Sequence, residues 1–89
     1  MNMDDYRRKI DEIDETIVKK LEERMRTVEG IAKYKKENEL PILDVLRERE
    51  KIDKITDLVS DDMASYTRLL YNTIMEMSKD HQRKVNQVE

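Results

Sequence analysis

Apolar residues fall at helical spacing through most of the chain. From Asp4 to Asn38 they follow one stripe, Tyr6, Ile10, Ile13, Ile17, Leu21, Val28 and Ile31, in steps of three, four or seven. That run holds no proline and one glycine, Gly30. At about 1.5 Å per residue it predicts a rod on the order of 50 Å long. Acidic residues Asp4 and Asp5 suit its start. Its end is expected near Asn38, because Glu39-Leu40-Pro41 follows and a residue before proline disfavours helical geometry.

A connection over 39–43 leads to Asp44, the expected N-cap of a second helix over 44–59 with Val45, Ile52, Ile55 and Val59 as its seam. Ser60-Asp61-Asp62 reads as a turn. A third helix over 62–85 carries Met63, Tyr66, Leu70, Ile74, Met77 and Val85 on one stripe, with Ser78 and Gln82 on a neighbouring face. Strand alternation is not sustained anywhere. The expected fold is all-α, with one long, one short and one medium helix in a single domain spanning 1–89. A second helix on the order of 24 Å long cannot cover the stripe of a ~50 Å rod. A second copy of the chain is the expected cover, in an intertwined homodimer.

Composition narrows the class further. The chain has 89 residues, of which 44% are charged, with one Gly, one Pro and no Cys, so turns are few and thiolate metal sites are excluded. A net charge of −3 with mixed signs argues against nucleic-acid binding. No apolar run approaches the ~20 residues of a membrane span. No basic, then apolar, leader opens the chain, and a cytoplasmic protein is expected. The tail from Arg83 to Glu89 has no linker composition, and a free-standing chain is expected.

Four polar groups interrupt the stripes: Arg24 and Lys35 on the first helix, Glu48 on the second and His81 on the third. Lysine and arginine stems often lie along apolar surface with the charge in water, and Glu48 could pair with either cation. Arg24 and Lys35 are 11 residues apart, close to three full turns, and so point the same way about 16 Å apart. Long side chains converge across such a gap on one small anion. No nucleophile stands beside a base, no ligand cluster has metal spacing, and no glycine-rich phosphate loop is present. An active site here must bind and orient. Cations with a carboxylate, a hydroxyl and an amide suit a small, doubly acidic, hydroxylated substrate.

The segments Arg7-Arg8-Lys9-Ile10-Asp11-Glu12-Ile13-Asp14, Glu23-Arg24, Ile31-Ala32-Lys33-Tyr34-Lys35, Pro41-Ile42-Leu43-Asp44 and Arg47-Glu48-Arg49-Glu50 together resemble the all-helical (AroQ-class) chorismate mutases. The resemblance runs from about Arg7 to Gln82. It implies an intertwined dimer with two active sites, each built from both chains. The implied reaction is the Claisen rearrangement of chorismate to prephenate, towards phenylalanine and tyrosine, with no covalent intermediate, metal or cofactor. By the same resemblance, Arg24 and a partner's Arg7 hold the two substrate carboxylates. Lys35 and Gln82 donate to the ether oxygen, and Glu48 accepts from the ring hydroxyl, helped by main-chain groups near Asp44. Arg47 and Ser78 contact a carboxylate or orient neighbours. Arg7 lies 17 residues from Arg24, roughly 25 Å along the helix and about 100° round it. One small substrate is therefore not expected to reach both on the same helix.

Two other readings fit parts of the pattern. An isochorismate-pyruvate lyase would use the same scaffold and also need no cofactor. The intact Asp44-Val45-Leu46-Arg47-Glu48 stretch favours the mutase. A non-enzymatic helical dimerisation module would use the same polar residues only to set register.

Overall fold

The computed structural model describes residues 1–87; Val88 and Glu89, the last two positions of the Arg83–Glu89 tail, lie outside the described residues. Among the described residues three α-helices occur in the order α1 (Met3–Glu37), α2 (Val45–Thr56) and α3 (Ala64–Asn86), and a 3₁₀ turn, Asp61–Met63, leads into α3. No strand occurs among the described residues.

The helix ends follow local chemistry. Helix α1 starts earlier than the acidic pair implies, because Asn2 is its N-cap: the Asp5 amide donates to Asn2 Oδ1, and the Asn2 amide donates back to Asp5 Oδ2, each at 3.0 Å. At its far end Glu39 takes a left-handed φ of 55°, and the Leu40 amide closes the last turn on the Lys35 carbonyl at 2.8 Å. Asp44 caps α2 by accepting from the Arg47 amide at 3.0 Å. Helix α2 stops at Thr56, three residues short of the expected Val59. Beyond it the Leu58 and Val59 amides bond three residues back, to Ile55 and Thr56, in tightening turns. The Ser60 side chain makes no capping bond to the backbone; its hydroxyl donates to Asp62 Oδ1 at 2.7 Å, and the chain passes through the 3₁₀ turn before α3.

Packing within the chain departs from the apolar stripes. The buried apolar residues are Val28, Ala32 and Ile74. Ala32 takes the place expected of Ile31: its small side chain lets α3 approach, and Asn86 donates to the Ala32 carbonyl at 3.3 Å. On α3 the face turned inward is Ile74, Ser78, Lys79 and Gln82, one step round from the predicted stripe. Of that stripe Tyr6, Ile10, Ile13 and Ile17 on α1, and Met63, Tyr66 and Leu70 on α3, stay exposed. Of the expected α2 seam, Val45 and Val59, the latter beyond the helix end, are exposed, and Ile52 and Ile55 are half-buried.

The result is an extended molecule of 54 × 28 × 14 Å. Its radius of gyration is 16.3 Å, against ~12 Å for a compact domain of this length. The surface left exposed is 7342 Å², where a compact chain of this size exposes about 5,500 Å².

Candidate active site

A cleft of about 290 Å³ opens where all three helices and the α1–α2 connection meet. Helix α1 contributes Arg24, Val28, Ile31 and Lys35, the connection Ile42 and Asp44, α2 Arg47, Glu48 and Lys51, and α3 Met75, Ser78, Lys79 and Gln82. Its walls carry five cationic side chains and two carboxylates, so the field inside favours an anion.

Several of its polar groups are held by a specific partner. Arg24 donates through Nη1 to Ser78 Oγ at 2.6 Å, and the Ser78 hydroxyl donates to the Ile74 carbonyl at 2.8 Å. Ser78 therefore fixes the guanidinium with one acceptor and leaves most of its fork of donors free. Lys35 donates to the Ile42 carbonyl at 2.9 Å, which pins its ammonium against the connection and spares two N–H groups. Asp44 spends one carboxylate oxygen on capping α2. Gln82 is 6% exposed, and its Oε1 finds no hydrogen-bond partner in the chain. A buried amide left short of a partner costs about 1–3 kcal/mol. The orphaned oxygen is an acceptor, open to a water or to a donor group of a ligand, while the amide's N–H groups are separate donors.

Of the eight site residues read from the sequence, seven converge here: Arg24, Lys35, Asp44, Arg47, Glu48, Ser78 and Gln82. Arg7 does not. It lies near the far end of α1, its side chain 72% exposed and 3.9 Å from Asp4.

Glu48 pairs with neither Arg24 nor Lys35, as the sequence allowed. Its partner is Lys79, whose Nζ lies 3.2 Å from Glu48 Oε1 and 2.8 Å from Glu76 Oε1. The carboxylates, Glu76 foremost, hold the Lys79 ammonium above the ordinary lysine range against the opposing effect of burial. Glu76 is in turn held below the usual carboxylate range by Lys79. Lys79 was not legible as a site residue, because Lys79-Asp80 reads as ordinary helix surface. The available signal was its place between Ser78 and Gln82, three residues from the latter on one face.

His81 lies outside the cleft. Its Nε2 sits 2.7 Å from Glu29 Oε2, and the same oxygen accepts from Arg26 at 2.8 Å. His81 and then Arg26 hold the Glu29 carboxyl below its usual range. Among the described residues no group of His, Cys, Asp or Glu is arranged to hold a metal ion. No helix among them is long and apolar enough to cross a membrane.

No curated protein and no solved structure matches the chain. The family described as chorismate mutase type II matches residues 6–83, which takes in most of α1 and α3, the whole of α2 and every residue of the cleft. The chain belongs to the chorismate mutase type II family.

Proposed function

We propose that the chain is a chorismate mutase that rearranges chorismate to prephenate, a cytoplasmic step towards phenylalanine and tyrosine. One observation carries the reading: a single cleft in a chain of this family gathers Arg24, Lys35, Glu48, Ser78 and Gln82 from three helices. In the rearrangement a C–O bond breaks as a C–C bond forms, and negative charge grows on the ether oxygen. Lys35 and Gln82 supply donors there. A donor aimed at developing charge lowers the barrier by about 3–4 kcal/mol, since it binds the transition state better than the ground state.

Arg24, oriented by Ser78, takes one carboxylate in a bidentate pair, with Arg47 as a further cation at the rim. Glu48 and the backbone near Asp44 receive the ring hydroxyl. The cleft's other task is to hold the side chain over the ring in a near-attack shape. The bond changes are internal to the substrate, so the chemistry calls for no cofactor, metal or covalent intermediate.

The second carboxylate falls to Arg7 of a second copy in an intertwined homodimer. Support comes from the surface: the chain exposes about 1,800 Å² beyond what a compact chain of its size would. Covering that on both copies gives an interface of the obligate class. The uncovered apolar residues include Ile10, Ile13 and Ile17, on α1 with Arg7, and Tyr66, Leu69 and Leu70 on α3.

Incubation with chorismate and, separately, with isochorismate tests the assignment. Prephenate from chorismate supports it. Salicylate and pyruvate from isochorismate, with chorismate untouched, would transfer the chain to the lyase reading.

A further inference from the structure

Lys79 is the one buried charged residue among the described residues, its side chain 11% exposed. Burying an ammonium is costly unless its partners repay the lost hydration. Glu76 alone does not account for that cost. It stands three residues away on the same helix with its side chain 72% exposed, so a lysine at the surface could meet it equally well. The partner that requires burial is Glu48, which belongs to α2, lines the cleft and is itself 23% exposed at its side chain.

We propose that Lys79 is a positioning residue that fixes the Glu48 carboxylate to accept the substrate's hydroxyl, acting through Glu48 and not on the substrate. The inference rests on the mutase reading. A free glutamate side chain samples many rotamers, and beside a doubly anionic ligand its carboxylate would swing away. Lys79, which lines the cleft beside Glu48, holds Oε1 across the α2–α3 contact and leaves Oε2 to the ligand. It also sets a positive charge next to the carboxylate that must stand close to two others. A second α2–α3 ion pair, Arg68 with Asp53 at 3.1 Å, is solvent-exposed on both sides and lines no part of the cleft. The alignment of Glu48 therefore depends on Lys79.

The test is a double-mutant cycle in chorismate turnover with wild type, Lys79→Met, Glu48→Gln and the double variant, together with Lys79→Arg. Lys79→Met is expected to lower kcat/KM roughly ten- to a hundredfold, the range for a hydrogen bond to a charged group. Its split between kcat and KM should match that of Glu48→Gln. The double variant should fall within about twofold of Glu48→Gln alone, because groups acting through one another do not add. Lys79→Arg should recover most of the loss. Melting curves confine the comparison to folded protein, and Lys79→Gln takes the place of Lys79→Met if the latter unfolds. Losses that multiply in the double variant, or an arginine that rescues nothing, overturn the inference while the mutase reading stands. A folded wild type inert towards chorismate overturns both.

Discussion

If each active site takes Arg24 from one chain and Arg7 from the other, two dead variants should repair each other. The structure sets the geometry. Arg7 and Arg24 share α1 but stand 17 residues apart, roughly 25 Å along the axis, and only Arg24 reaches the cleft. Truncating one partner of a desolvated charge pair costs about 2–5 kcal/mol. Arg7→Ala and Arg24→Ala should each therefore lose at least about 30-fold in kcat/KM. Refolded together, the chains pair at random and half of the dimers are mixed. A mixed dimer has one site lacking both arginines and one site with both intact. The mixture should then recover about a quarter of wild-type activity. The assay is chorismate loss after co-refolding at equal concentration, against each variant refolded alone. A mixture no more active than the mean of the separate variants would refute the shared site.

Other outcomes follow from single residues. An added Cβ at Gly30 meets nothing within 4 Å, so Gly30→Ala should stabilise α1 by up to about 1 kcal/mol, read as a higher Tm. Position 82 carries an amide that donates at any pH, so the rate should stay flat across neutral pH; Gln82→Glu should be active only in acid, where the carboxyl is protonated, and a steep fall between pH 6 and 8 in wild type would count against the role given to Gln82. Glu29 is held below its usual carboxyl range, so the folded state resists protonation more than the unfolded state. The stability it adds is complete above the ordinary carboxyl pKa and is lost as pH falls through the lowered value. Glu29→Gln should flatten that part of the Tm–pH curve, and an unchanged acid limb would refute the linkage.

The backbone was the most legible part of the chain. One proline and the capping side chain of Asp44 placed the connection and the start of α2, since those signals act over a few residues. Asn2 was missed because the neighbouring aspartates also suit a helix start, and only the reciprocal Asn2–Asp5 bonds distinguish them. The faces were harder to read. Periodicity reveals that Tyr6, Ile10, Ile13, Ile17 and Leu70 share stripes, but not what covers them. Within the chain α3 turns Ser78, Lys79 and Gln82 inward and leaves most of its apolar stripe outside. Arg24 and Lys35 were conspicuous because they stood on an apolar seam. Lys79 drew no notice because it stood among charges, and its role depends on a contact with Glu48 across 31 positions of sequence.

The central claim is that Arg24, Lys35 and Gln82 form one anion-binding cleft that rearranges chorismate. Its most direct test is prephenate formation from chorismate by wild type and by Arg24→Ala, with both proteins shown to be folded. The account predicts turnover by wild type and a loss of at least about 30-fold in the variant. Full activity in Arg24→Ala would contradict it.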